Sequence, residues 1–63
     1  MTREEARDAT LSTGDVARAL GLSTDTVARI PKDRLDYWRT PGGHRRYRCS
    51  DVAAYAREYL GRS

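Results

Sequence analysis

The chain has 63 residues, 12 of them basic and nine acidic, with a formal net charge of +3. A chain this short makes one domain with a small core, because it buries only about 60% of the surface its unfolded form exposes. No apolar run reaches the ~18–20 residues of a membrane span, no secretory leader is visible, and a single cysteine, Cys49, excludes an internal disulfide. One cysteine and one histidine, His44, cannot complete a four-ligand zinc site, so no metal and no cofactor is expected. The default compartment is the cytoplasm. Charge is unevenly spread: residues 1–38 carry six basic and seven acidic side chains, residues 39–63 six basic and two acidic. Arg39, Arg45, Arg46 and Arg48 lie within ten residues that contain no acid. A concentrated basic patch beside a nearly neutral body suits a polyanion, nucleic acid foremost, and the bland alternative is a solvated basic loop.

In chain order, residues 1–10 (MTREEARDAT) lack an apolar period and read as a flexible tail, leaving one domain over residues 11–63. A first helix begins at Ser12 or Thr13. Ser12 followed three residues on by Asp15 approximates a capping box. Val16, Ala17 and Leu20 share a face. Gly21 ends the helix in the left-handed conformation that C-terminal caps favour, and Leu22 turns back to the core. Ser23 is the next N-cap, with Asp25 near the positive helix end. Val27 and Ile30 form the inner face, and Pro31 stops this helix near Ile30.

Leu35, Tyr37 and Trp38 have strand-forming character, and Thr40-Pro41-Gly42-Gly43 signals a turn. Arg45–Arg48 is the second strand of a two-stranded hairpin. Tyr47 points inward, Arg46 and Arg48 lie on the opposite face, and Arg45 shares Tyr47's face while reaching solvent near the tip. Trp38 is expected to cover the core between hairpin and helices, and Cys49 to be a small buried filler. Ser50 caps a last helix, DVAAYAREYL, which Gly61 ends. Val52, Tyr55, Ala56 and Tyr59 form its core-facing stripe.

Helix, turn, helix, β-hairpin, helix is the order of a winged helix-turn-helix, mostly α with a β-hairpin. The second helix, with Thr24, Asp25, Thr26, Ala28 and Arg29 outward, suits a major groove. The hairpin arginines suit flanking phosphates or the minor groove, since the planar guanidinium makes bidentate contacts.

RTPGGHRRYRCSDV (Arg39–Val52) resembles the wing of small MerR-superfamily winged helix proteins, in the branch of phage and plasmid excisionases and short actinobacterial regulators. Upstream, STGDVARALGLSTDTVARI resembles the helix-turn-helix of the same family, so the resemblance spans residues 12–60. It implies that the second helix reads the major groove with Thr24, Thr26 and Arg29. Asp25 is either an N-terminal helix stabiliser or an acceptor from cytosine N4. On the wing it implies backbone or minor-groove contacts from His44, Arg45 and Arg46, with Tyr47 both packing the wing and touching a phosphate; the basic patch adds Arg39 and Arg48 as DNA-binding candidates. Arg39 has a surface pair with Asp33 or Asp36 as its alternative, and His44 a plain turn role. Pro31 replaces the usual helical continuation, which truncates the recognition helix and shifts weight to the wing.

The function this implies is sequence-specific, architectural DNA binding of the excisionase type. Copies associate head-to-tail on repeated sites of double-stranded DNA and bend it to direct an integrase, giving a nucleoid-associated protein. A small MerR-like transcription regulator at promoter repeats would use the same surface. From another class, an adaptor or antitoxin would dock an acidic protein on the wing. No enzyme is expected, since no triad, paired-carboxylate or phosphate-loop arrangement is present. With neither a heptad run nor metal-ligating cysteines, no small-molecule effector is expected.

Overall fold

The computed structural model describes residues 9–61. Its elements are β1 (Thr10–Leu11), α1 (Thr13–Leu20), α2 (Thr24–Ala28), β2 (Trp38–Arg39), β3 (Arg45–Arg48) and α3 (Cys49–Tyr59). No helix among the described residues is long and apolar enough to cross a membrane.

Short-range chemistry sets the ends of the first two helices. The Asp15 N–H donates to Ser12 Oγ at 3.1 Å, and the Ser12 N–H donates to Asp15 Oδ2 at 3.3 Å. This reciprocal pair satisfies two N–H groups that a helix start leaves without partners. Asp15 also pairs with Arg18 on the next turn. These contacts, the Ser12 backbone N–H first, hold the Asp15 carboxyl below its ordinary value. Gly21 sits at φ +70°, and its N–H and that of Leu22 both donate to the Ala17 carbonyl. At Ser23 the hydroxyl accepts from the Thr26 N–H at 3.1 Å, opening α2. That helix is only five residues long. After it, the Pro31 carbonyl accepts from the Arg34 and Leu35 N–H groups at 2.9 and 3.1 Å. This extra turn brings Leu35 into the core from the connector, before the strand that its residue type suggests.

The wing turns as its sequence predicts. Thr40 N–H donates to the His44 carbonyl at 2.9 Å, and Gly43 N–H donates to the Thr40 carbonyl at 2.8 Å. Gly43 takes φ +82°, the left-handed residue that a three-residue hairpin loop requires. Trp38 pairs with Arg46, and Arg39 with Arg45.

The sheet has three antiparallel strands in the order β1-β3-β2, not the two expected. Thr10, assigned above to the tail, pairs with Arg48, and Leu11 pairs with Tyr47. The Cys49 N–H continues this contact by donating to the Ala9 carbonyl at 2.9 Å. The rest of the expected tail, residues 1–8, lies outside the described residues. The same contact explains a second correction. α3 begins at Cys49 with Arg48 as its N-cap and no side-chain capping bond, so Ser50 lies inside the helix and does not cap it.

The core is Val16, Ala17, Leu20, Val27, Ile30, Leu35, Tyr47 and Val52, with no polar or charged residue buried among the described residues. Leu11, Leu22, Tyr37, Tyr55, Ala56 and Leu60 pack on its rim. Three expectations of burial fail. Alternation along a strand allows only one of Tyr37 and Trp38 inside; Tyr37 takes that place and Trp38 stays 41% exposed. Tyr59 is 44% exposed because Ala56 and the adjacent Leu60 take the core-facing places at the end of α3. Its ring packs at a tilt against Tyr55, with centroids 4.9 Å apart and 37° between the planes. Cys49 is exposed at the corner where β3 turns into α3.

Candidate nucleic-acid interface

α2 shows solvent a polar face. Thr24, Asp25, Thr26, Ala28 and Arg29 are all exposed, while Val27 is fully buried beneath them. One apolar anchor per turn leaves every other side chain of so short a helix facing outward. The Thr26 and Ser23 hydroxyls lie 2.8 Å apart and share a hydrogen bond, so Thr26 is committed to the cap. Thr24, Asp25 and Arg29 keep their polar groups free of side-chain partners among the described residues. Asp25 occupies the first turn, where a carboxylate meets the positive helix end. The truncation expected from Pro31 is present.

On the wing, the predicted residues separate into two groups. Arg39, His44 and Arg48 are exposed. Arg39 makes no ion pair among the described residues, because Asp36, one of its candidate partners, pairs with Lys32 at 2.6 Å. That pair holds the Asp36 carboxyl below its ordinary value and raises the Lys32 ammonium, in both cases chiefly through the hydrogen bond between them. Arg48 lies over the Trp38 ring, 5.8 Å from its centroid.

Arg45, Arg46 and Tyr47 are engaged within the protein. Arg46 Nη2 donates to Thr10 Oγ1 at 2.8 Å and to the Thr10 carbonyl at 3.3 Å, tying β1 to β3. Arg45 stacks on Tyr37 with its guanidinium carbon 4.3 Å from the ring centroid, and its Nη1 donates to the Ala28 carbonyl at 3.2 Å. Tyr47 is only 1% exposed. It packs the wing, and the phosphate contact expected of it has no exposed surface to use. Its hydroxyl instead accepts from Arg45 Nη1 at 3.4 Å.

Sequence reasoning missed Tyr37 and Lys32 as parts of this region. Tyr37 carries Arg45 on its ring and meets Tyr47 at 5.7 Å between centroids, while Lys32 Nζ lies 5.5 Å from the Tyr37 centroid. The signal for Tyr37 was alternation: it is two residues before Arg39, which pairs with Arg45. Nothing local marked Lys32.

α1, the Gly21 turn and α2 thus set a polar helix face outward, and the hairpin sets exposed arginines beside the tilted Tyr37–Tyr47 pair. Among the described residues no group of three His, Cys, Asp or Glu side chains could hold a metal ion. A family model described as "Helix-turn-helix domain" matches residues 10–60, from the first strand to the end of the last helix. No curated protein and no solved structure matches the chain. A match over most of its length, on a fold with both the helix pair and the wing, shows that the chain belongs to the helix-turn-helix domain family and is a double-stranded-DNA-binding module.

Proposed function

We propose that this module works as an architectural DNA-binding protein of the excisionase type in the MerR superfamily, assembling head-to-tail on repeated sites and bending the duplex for an integrase. α2 enters the major groove, and Thr24, Asp25 and Arg29 meet base edges or the adjoining phosphates. Arg39, His44 and Arg48 contact the backbone or minor groove to one side. The observation that carries the reading is the small size of the reading surface: a five-residue helix with an exposed polar face, beside a short wing. A single module of this kind covers roughly 600–1,000 Å² of protein surface, enough for a few base pairs. Useful specificity then comes from several copies side by side. A bent duplex lets each copy gain contacts that offset the deformation, which costs on the order of 1–6 kcal/mol for a short site.

The test is selection of bound duplexes from a random library, followed by mobility-shift titration of the winners. Enriched direct repeats with successive bands that appear cooperatively support the array. Enrichment of one isolated half-site, filled without cooperativity, overturns it. No enrichment and no shift at low salt would turn attention to an acidic protein docking on the wing. Whether the repeats flank a recombination site or a promoter separates direction of an integrase from transcriptional control.

A further inference from the structure

Two elements can grip one duplex only when the angle between them is held. In this fold the recognition helix ends at Ala28 and the wing begins at Trp38, with an irregular connector between. Arg45 sits at their junction. Its Nη1 donates to the Ala28 carbonyl, on the last residue of α2, across 17 positions of sequence. Arg29, the C-cap of α2, makes no side-chain hydrogen bond to that carbonyl among the described residues, so the Arg45 guanidinium of the wing is the side-chain donor that reaches it. The same nitrogen reaches the Tyr47 hydroxyl inside β3, and the guanidinium carbon lies over Tyr37, 4.3 Å from its ring centroid. One half-buried group therefore touches the helix, the inner strand and the residue that leads into β2. Arginine can stack on a ring and donate in its own plane at once, whereas lysine offers a point charge.

The strand register adds a second reason. Arg39 and Arg45 are direct cross-strand partners, and like charges placed so repel. Arg45 is engaged by the Ala28 carbonyl, the Tyr47 hydroxyl and the Tyr37 ring, while Arg39 stays exposed.

We propose that Arg45 is a positioning residue: it locks the wing to the C-terminal end of the recognition helix, and it does not itself bind phosphate. The proposal rests on the reading of α2 and the wing as one DNA interface, and it deepens that reading by naming what holds the two parts in register.

The experiment measures affinity and its salt dependence for Arg45→Met, Arg45→Lys, Tyr37→Leu and Arg39→Met on a duplex selected by the native protein. Arg45→Met and Tyr37→Leu should each weaken binding about tenfold with the salt slope unchanged, and the double variant should be little worse than either alone. Arg45→Lys should not rescue, because it restores charge without the fork. Arg39→Met should lower the slope magnitude by about 0.9, the share of one phosphate. The proposal is overturned if Arg45→Met lowers the slope by that amount, Arg45→Lys restores it, and Tyr37→Leu binds as the native protein does. Far-UV circular dichroism melts establish that each variant is folded. A DNA-free readout separates this idea from the DNA reading. In the native protein the Tyr37 ring should displace the Arg45 side-chain proton resonances upfield, and Tyr37→Leu should abolish that displacement. Absence of the displacement in the native protein overturns the lock whether or not DNA binds. Its presence alongside failure to bind any duplex would overturn the interface reading and leave the lock standing.

Discussion

Leu35→Ala tests whether the connector between the recognition helix and the wing is held by core burial. Leu35 is 1% exposed yet lies in no helix or strand. A buried Leu→Ala change costs about 2–5 kcal/mol, the spread reflecting how far the surroundings collapse into the space left. An irregular connector settles more readily than a helix, so the lower half, about 2–3 kcal/mol, is expected here. Leu20, 2% exposed and fixed in a helix capped at both ends, should cost more, about 3–5 kcal/mol on replacement by Ala. At ~0.05–0.15 kcal/mol per residue, a chain of this length has only about 3–9 kcal/mol in all, so either change removes a large share. Urea titration followed by far-UV circular dichroism is the assay. With an m-value near 1 kcal/mol/M for so small a domain, the Leu35→Ala midpoint should fall by about 2–3 M. Apparent DNA affinity should fall only in proportion to the folded fraction, and added duplex should restore the fold by mass action. A midpoint shift below about 0.5 M would refute the claim that Leu35 is a core residue. A Leu35→Ala effect larger than that of Leu20→Ala would leave Leu35 in the core but refute the argument that the connector collapses more readily than a helix.

Further outcomes follow from turns, caps and charges. At Gly43 (φ +82°) an added Cβ would meet nothing within 4 Å, so Gly43→Ala isolates the backbone cost. That cost is about 1–2 kcal/mol, partly offset by ~0.4–1 kcal/mol of lost unfolded-state freedom, and a thermal melt should show a net loss near 1 kcal/mol. Gly42→Ala should be close to neutral in the same melt: its Cβ would lie 3.3 Å from His44 Cδ2, but that exposed ring edge can move aside. Ser12→Ala should cost about 1 kcal/mol, read by the same melt, because the α1 cap bond is lost. The Asp15 and Asp36 carboxyls both titrate below their ordinary value of 3.8, so each contributes stability above that pH that is lost as pH falls through its lowered value. The Lys32 ammonium is raised above 10.5, so its contribution is present below that pH and lost on going higher. Melting temperature against pH should therefore be flat through neutrality and drop at both ends, and Asp15→Asn should shrink the acid limb.

What the sequence made legible was decided within a few residues of chain. The Ser12–Asp15 box, the Gly21 cap, the Ser23 cap and the Pro31 stop are local bonds or local bans, and all four stand where their residues place them. Tyr47's inward direction follows from strand alternation, and the three-residue wing loop from Gly43. What stayed hidden depends on distant partners. Thr10 gives no strand signal of its own and pairs only because β3 passes beside it. The α3 start moved because the Ala9 carbonyl takes the Cys49 N–H. Tyr59 has the right helical spacing for the core, but spacing does not say which of the neighbours Tyr59 and Leu60 turns inward, and Leu60 does. The same limit applies to the site. Charge marked every wing arginine alike, whereas Thr10, Ala28 and Tyr37 engage Arg46 and Arg45 and leave Arg39 and Arg48 outward.

The salt dependence of binding to a selected duplex tests the central claim, that α2 and the wing together grip the DNA backbone, most directly. Arg29, the C-cap of α2, and Arg39 and Arg48 of the wing are exposed. If each neutralises one phosphate, log affinity should fall against log salt with a slope near about −2.7. A slope indistinguishable from zero, or no binding at low salt, would contradict the account.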